Sequence, residues 1–303
     1  MREAGLLSTC LLPGGLIGDD GGVHREAVLV PLSGREEELL ADHRGEAPAA
    51  RVTAVLARCV RRIGPVEVTD NVARRLFVAD RQFLLLKLRE VTFGDRVAGT
   101  LACPWPHCGA RMDLDFSTRD IPVSESEEVA ATYRVELDAA DAPEGADGRR
   151  HRTLAFRLPN GADQEALGTL LADDPGGALT ALFERCLVGT DIGWDDVPDL
   201  VANLSPRARR AIERAMEAHA PRVELEMDLT CPECGRASTV PFDVQDFFFG
   251  ELHTSRDLLY RQVHYLAYHY HWSEREILDM PRDKRLAYID VLADEIEALN
   301  DVH

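Results

Sequence analysis

The chain has 303 residues, of which 45% are hydrophobic, and its formal net charge is −19 at pH 7. A negative field of this size repels phosphate backbones and anionic lipid, which argues against a general nucleic-acid or membrane-surface role. No apolar run approaches the roughly 20 residues of a membrane span, and the short apolar patch near Met1 does not fit a secretory signal. We therefore expect an acidic globular protein of the cytoplasm.

The first 25 residues have the composition of a flexible arm. They contain Gly14-Gly15, Asp19-Asp20 and Gly21-Gly22 in close succession. Such small and polar pairs near a chain end are typical of poorly ordered termini, so we predict that residues 1–25 form a mobile arm.

Residues 26–119, called segment one below, show the pattern of an α+β unit. A strand is predicted over 27–32, and Ser33-x-x-Glu36 is a capping box that starts a helix. Apolar residues at helical spacing predict a second helix around Val52–Val60, and a third helix is predicted over 80–90.

Segment one ends in a predicted β-hairpin with cysteines at its tip. The loop reads Cys103-Pro-Trp-Pro-His-Cys108-Gly109, and alternating residues flank it over 97–102 and 112–116. Proline fixes φ as the chain leaves the first cysteine, and glycine takes the positive φ that the turn needs. We call this loop the first knuckle.

Residues 120–152 are less regular and rich in Glu, Asp, Ala, Gly and Pro. They contain one alternating stretch, from Tyr133 to Leu137, which predicts a strand. We interpret this region as an acidic insertion with a mobile loop near residues 139–150.

Residues 153–246, called segment two, repeat the order of segment one. A strand is predicted over 153–158, helices follow, and Pro206 after Ser205 starts a helix that runs to His219. The segment ends in a second knuckle, Cys231-Pro-Glu-Cys234-Gly235, between two alternating stretches.

Matching residues recur at a constant offset of about 127 positions. The pairs are Gly34/Gly161, Glu38/Glu165, Thr53/Thr180, Arg58/Arg185, Cys59/Cys186, Cys103/Cys231, Cys108/Cys234 and Phe116/Phe242. The alternative is two coincidentally similar helix ends, but a constant offset across several element types favours an internal duplication. A pseudo-two-fold axis between the copies would bring the two knuckles together.

Residues 247–303, called the tail, match neither segment. The sequence predicts a helix to Tyr270, a break at Trp272, a short helix opened by the capping box Ser273-x-x-Glu276, and a last helix from Pro281. Most tyrosines of the chain lie here. Such an aromatic unit either packs on the rest of the protein or binds a partner.

The two knuckles together predict one metal site. Two thiolates cannot complete a tetrahedral zinc shell but four can, so Cys103, Cys108, Cys231 and Cys234 are expected to hold one structural zinc per chain. Iron would suit the same ligands. The alternatives are free thiols, a ligand role for His107 because the first knuckle has four residues between its cysteines, and a redox pair in the second knuckle.

The remaining cysteines and histidines have plainer interpretations. Cys59 and Cys186 lie on apolar helix faces and are expected in the core. His264 and His269 are five residues apart, so they do not share a helix face as a metal pair would. The chain has no Gly-x-Ser-x-Gly, P-loop, His-Glu-x-x-His or dinucleotide fingerprint, and its sequence does not support an enzyme.

Several motifs together resemble a known family. They are the start Val28-x-x-x-Leu32-Ser-Gly-Arg-Glu-Glu, the helix Ala79-Asp-Arg-Gln-Phe-Leu-Leu-Leu-Lys-Leu-Arg89 before Phe93-Gly-Asp95, the two knuckles, and the ending Val263-His264-x-Leu-Ala-x-x-Tyr270-His-Trp-Ser-Glu274. The chain resembles baseplate-hub and tail-assembly proteins of contractile phage tails and phage-tail-like contractile injection systems. The resemblance covers almost all of the chain except the first 25 residues and the acidic loop.

This resemblance implies a non-enzymatic structural part of the baseplate that contacts other baseplate, hub or tail subunits. It implies no nucleic acid, membrane or small-molecule substrate as a partner. We expect Tyr260, Tyr265, Tyr268 and Trp272 of the tail to bind a neighbouring subunit. Two alternatives remain: an assembly chaperone absent from the finished particle, and a zinc-ribbon nucleic-acid factor, although Arg111 and Arg236 alone lie near the knuckles.

Overall fold

The computed structural model describes residues 7–42, 47–144, 150–188, 197–251 and 256–301. It has a mixed helix and sheet architecture, in agreement with the predicted α+β class. The core is divided among segment one, segment two, the tail and a small cluster at the knuckles.

The N-terminal region is a strand. β1 (Ser8–Ile17) pairs antiparallel with β2 (Val23–Leu29), and Leu12 and Leu16 of β1 are buried. The prediction of a mobile arm is therefore wrong for the described part of residues 1–25. Gly14 and Gly15 lie at an irregularity of the pairing, where their N–H groups bind the buried Asp80 carboxylate at 2.8 and 2.9 Å.

Segment one places two helices on a four-stranded antiparallel sheet. After β1 and β2, the elements are α1 (Gly34–Asp42), α2 (Pro48–Cys59), β3 (Val60–Ile63), β4 (Val66–Glu67), α3 (Asp70–Arg75) and α4 (Val78–Phe93). The strand order is β1-β2-β3-β4. Apolar residues of α2 and α4 complete a core with the inner face of the sheet, including Val52, Leu56 and Leu84.

The first predicted hairpin follows α4. It consists of β5 (Arg96–Ala102) and β6 (Arg111–Ser117), which pair in continuous register. The chain then passes through a short strand β7 (Val123–Ser124) and reaches β8 (Tyr133–Glu136), the strand predicted within the acidic insertion. Of the predicted mobile loop, residues 145–149 lie outside the described ranges.

Segment two has a similar order of helices before its hairpin. Its elements are β9 (Thr153–Phe156), α5 (Gly161–Asp173), α6 (Pro175–Cys186), α7 (Val197–Ala202), α8 (Pro206–His219), β10 (Arg222–Val223), β11 (Glu226–Thr230) and β12 (Ala237–Pro241). It has no strands between α6 and α7 in the described ranges, where segment one has β3 and β4. β8 pairs antiparallel with β9, as β1 pairs with β2. The start of α5 is held by a capping box between Asn160 and Asp163.

A buried arginine joins the two segments. Arg81 is 1% exposed, and its guanidinium donates to the Thr53 hydroxyl and to the carbonyls of Ala73 and Ala49. The first residue of α5, Gly161, lies directly against this guanidinium, where a Cβ would overlap it. Glu165, further along α5, accepts hydrogen bonds from Arg74 and Thr53.

The tail docks on segment one through a second buried arginine. After α9 (Val244–Glu251), the tail forms α10 (Arg256–Tyr270), α11 (Glu274–Leu278) and α12 (Arg282–Asp301), close to the predicted helices. Arg285 is 0% exposed and pairs with Glu37 of α1. Gly34, the first residue of α1, would place a Cβ 2.9 Å from the Arg285 guanidinium.

These contacts run head to tail. Arg209 is the fourth residue of α8, as Arg81 is of α4. A two-fold relation between the bodies of the segments would therefore require Arg209 to contact Gly34. Gly34 instead contacts Arg285. The expectation of a pseudo-two-fold axis is therefore wrong for the bodies of the two segments.

None of the helices in the described ranges combines the length and apolar character that a bilayer crossing requires.

Two glycines of α5 should respond to alanine in opposite directions. Gly161→Ala would displace the Arg81 guanidinium from its hydrogen bonds, and we expect a loss of about 2 kcal/mol in the free energy of unfolding. Gly168→Ala meets no atom within 4 Å, and we expect a gain of about 0.5–1 kcal/mol from helix propensity. Urea unfolding followed by circular dichroism measures both, and stabilisation by both alanines would contradict the contact.

Candidate metal centre

The two hairpin tips bring four cysteines to one point. All four Sγ atoms of Cys103, Cys108, Cys231 and Cys234 lie within 4.8 Å of one another. Two of the pairs that cross between the hairpins are 3.8 Å apart, Cys103 with Cys234 and Cys108 with Cys231. The four cysteines predicted as one site are thus brought together, and His107 is not part of the group.

Backbone turns fix the direction of the sulfur atoms. In the second knuckle, the N–H of Gly235 donates to the carbonyl of Cys231 at 2.9 Å, and Gly235 has a φ of 68°. In the first knuckle, Gly109 has the equivalent φ of 61°. His107 also has a positive φ, 69°, because the turn must absorb the two extra residues between Cys103 and Cys108. The wider spacing therefore changes the turn and leaves the sulfur positions intact.

The sulfur geometry fits a tetrahedral metal ion. A metal–sulfur bond of about 2.3 Å in a tetrahedron gives a sulfur–sulfur separation of about 3.8 Å, which is the separation of Cys103 from Cys234 and of Cys108 from Cys231. A disulfide would need about 2.05 Å, and the cysteines are free. The four residues could therefore hold one metal ion, with two ligands from each hairpin.

The thiol groups interact strongly with one another. The N–H of Cys234, together with the N–H of Glu233, outweighs the opposite effect of burial and lowers the pKa of Cys231 to about 7. The N–H of Trp105 lowers the pKa of Cys103, but burial and the other thiols outweigh it and raise this pKa to about 12. Four sulfurs at this distance cannot all ionise beside one another without a cation, whereas a bound divalent metal stabilises all four thiolates.

Residues around the knuckles lock the hairpins together. The Trp105 indole donates to the carbonyl of Ala237 at 3.1 Å, and the Arg236 guanidinium lies 5.3 Å from the Trp105 ring centre. At the base of the hairpins, the rings of Phe116 and Phe242 meet edge to face at 5.4 Å. The sequence matched Phe116 with Phe242 and placed Arg236 near the knuckles, but it gave no role to Trp105, although an aromatic residue between two prolines was a usable signal.

The other cysteines are separate from this centre. Cys59 and Cys186 are buried in the cores of segments one and two, as predicted, and burial raises the pKa of Cys186 to about 12. Cys10 is half-buried on β1, and burial also raises its pKa to about 12. None of these three residues belongs to the cysteine cluster of the described chain.

The four aromatic residues expected to bind a partner lie in different environments. Tyr268 is 70% exposed on α10, and Tyr260 lies two turns earlier with its hydroxyl donating to Glu38. Tyr265 is half-buried against His269. Trp272 stacks on Tyr270 at 4.7 Å and meets Tyr288 edge to face, so its ring belongs to the core of the tail.

A comparison with known protein families matches most of the chain. A family model described as T4 bacteriophage base plate protein matches residues 25–249, which is more than half of the chain. The matched region contains both knuckles and ends within α9, before α10–α12. No curated protein and no solved structure matches the chain.

Removing one cysteine should release the whole metal ion. We expect Cys103→Ser and Cys231→Ser each to lose one metal ion per chain, because a tetrahedral shell that keeps three thiolates binds far more weakly. Cys10→Ser, outside the cluster, is the control and should keep its metal. Elemental analysis of the purified proteins measures the content, and independent half-losses in the two variants would contradict a shared site.

Proposed function

The chain belongs to the T4 bacteriophage base plate protein family, and from this membership we propose that it is a non-enzymatic structural part of the baseplate of a phage-tail-like contractile injection system. Its partners are other baseplate, hub or tail subunits, and it assembles from the cytoplasm. The observation that carries this role is the four-cysteine cluster, which joins two hairpins through cysteine pairs that are 123 and 131 positions apart in the sequence. A metal held there contributes folding free energy to a scaffold and leaves no ligand position open for chemistry.

The metal in this proposal is zinc, one ion per chain. Four thiolates in a closed tetrahedral shell suit a structural zinc, and the same ligands would also hold iron. Protein produced in medium supplied with both metals should contain zinc and remain colourless. Visible absorption bands of an iron–thiolate centre, with iron in the elemental analysis, would contradict the assignment.

An internal duplication of a zinc-ribbon-like unit is the second part of the proposal. Arg81 donates to Thr53 at 3.0 Å and to the carbonyl of Ala73 at 2.8 Å. Arg209 repeats both contacts in segment two, with Thr180 at 3.0 Å and the carbonyl of Val201 at 2.8 Å. Each arginine is the fourth residue of its helix, α4 or α8.

The strand pairing and the sulfur pairs support the same duplication. The pairing of β1 with β2 has its counterpart in β8 with β9, and each unit ends in a knuckle hairpin. The crossed sulfur pairs also suit a two-fold relation confined to the hairpins, which exchanges Cys103 with Cys231 and Cys108 with Cys234. The duplicated unit would then begin one strand earlier than the sequence predicts.

A docking surface on the tail is the third part of the proposal. Tyr260, His264 and Tyr268 are exposed and follow one another at four-residue spacing on α10. A shallow concavity beside them is lined by Tyr260, Tyr265 and Arg261. Tyrosines presented in this way are frequent anchors of protein interfaces.

Replacing one exposed tyrosine should weaken the contact with baseplate partners. We expect Tyr268→Ala to reduce copurification of these partners about tenfold, because a central interface tyrosine contributes about 1–2 kcal/mol. Val291→Ala, an equally exposed residue of α12, is the control. A point substitution is preferable to deleting the tail, because the tail covers Gly34 and Glu37. Unchanged copurification with Tyr268→Ala would contradict the proposal that this surface of α10 binds a partner.

The composition of purified particles decides between a structural part and an assembly chaperone. We expect quantitative mass spectrometry of intact particles to detect this chain at a fixed ratio to the other baseplate subunits. An assembly chaperone would be present in cell extracts and missing from the particles, and that result would replace the structural role.

A further inference from the structure

Three helical units in this chain share one arrangement. Each has a helix, a short helix and a long helix: α2–α3–α4, α6–α7–α8 and α10–α11–α12. The fourth residue of each long helix is an arginine that hydrogen-bonds the first helix of its unit: Arg81 to Thr53, Arg209 to Thr180 and Arg285 to Gln262. We call the surface around each of these arginines an arginine face.

Two of the three arginine faces are covered in the same way. The Arg81 face is covered by the start of α5, where Asn160 pairs with Phe77 and the Gly161 N–H donates to the carbonyl of Leu76. The Arg285 face is covered by the start of α1, where Ser33 pairs with Pro281 and the Arg282 N–H donates to the carbonyl of Leu32. We call the helix start that covers an arginine face a glycine helix start.

The two glycine helix starts have a common chemistry. Each has a Ser or Asn cap that is extended enough to pair with the neighbouring chain, then glycine, then a glutamate three or four residues later. Glu37 pairs with Arg282 and Arg285, and Glu165 pairs with Arg74 beside Arg81. Glycine lets the helix approach the guanidinium, and the glutamate balances its charge.

The third arginine face has no such cover among the described residues. Thr53 is 1% exposed, whereas its counterpart Thr180 is partly exposed, and Gly176 is exposed where its counterpart Ala49 is buried. Arg209 contacts Thr180, the carbonyl of Val201 and the ring of Phe183, with no carboxylate partner in the described ranges. At the other two faces a glutamate of the glycine helix start lies at the arginine: Glu37 pairs with Arg285 directly, and Glu165 hydrogen-bonds Thr53 and Arg74 beside Arg81.

We propose that the Arg209 face binds a glycine helix start of another baseplate protein: a helix that begins with a Ser or Asn cap and a glycine, followed three or four residues later by a glutamate. A second copy of this chain does not supply this element, because its own starts at Gly34 and Gly161 are covered by Arg285 and Arg81. Head-to-tail contacts leave one face without a cover at the end of a series, and within the described ranges that face is the one around Arg209. The inference rests on the proposed baseplate role.

A photocrosslinker identifies what lies on this face. The probe is p-benzoylphenylalanine at Glu184, an exposed residue one turn after Thr180, in cells that produce the whole particle. We expect a crosslink to a different protein, and the crosslinked peptide should carry the cap, glycine and glutamate pattern. Crosslinking in producing cells reports the contact even if the chain is missing from finished particles, so it is independent of the structural role.

Two variants on the same background test the mode of binding. Gly176→Leu adds bulk at the face without touching the hydrogen bonds of Arg209, and Arg209→Ala removes the charge; both should reduce the crosslink at least tenfold. Gly168→Leu and Arg210→Ala are the matched controls and should leave it unchanged. The proposal is overturned by a crosslink to a second copy of this chain, by a peptide without a glycine helix start, by a crosslink that Gly176→Leu does not affect, or by no crosslink at all.

Discussion

The buried guanidinium of Arg81 is the contact on which the arrangement of the two segments depends. Removing an arginine from water costs free energy, and hydrogen bonds recover part of it. The two terminal nitrogens of Arg81 donate to a hydroxyl and two main-chain carbonyls of its own segment, whereas its Nε has no hydrogen-bond partner among the described residues. This leaves a flat, charged plane at the surface of segment one. A helix can cover that plane closely where its first residue is glycine, and Gly161 is at that position. The contact thus specifies both which helix docks and which end of it.

The cysteine cluster imposes a different geometry on the same two segments. The arginine contacts run in one direction, from the tail to segment one and from segment one to segment two. The hairpins, in contrast, meet tip to tip with crossed sulfur pairs and with Phe116 against Phe242. If one segment rotates relative to the other, the arginine contact and the hairpin contact cannot both be kept, because they differ in symmetry. The pair therefore fixes the segments more firmly than two contacts of one kind would.

Sequence reasoning predicted the elements whose signals are local. The cysteines were found because the flanking Pro and Gly report the turn, and α8 and α11 were found because Ser205 and Ser273 report the helix start. β1 was missed because Gly14-Gly15 is usually a sign of flexibility, whereas here the glycine N–H groups bind Asp80, a residue 65 and 66 positions away. Arg81 was missed for a similar reason: a charged residue in a helix is usually solvated, and its burial depends on Gly161 in another segment.

The tail shows how such a contact can be used outside a repeated unit. Its helices lie beyond the region that matches the baseplate family, yet Arg285 covers Gly34 as Arg81 covers Gly161. The same arrangement, a buried guanidinium against a glycine helix start with a nearby glutamate, therefore joins elements with and without a sequence match. The arrangement needs few residues: an arginine at the fourth position of one helix and a glycine at the first position of another, as in both contacts of this chain. The half-buried Arg209 on α8 has the same position in its helix, which is why its surface suits one kind of helix start.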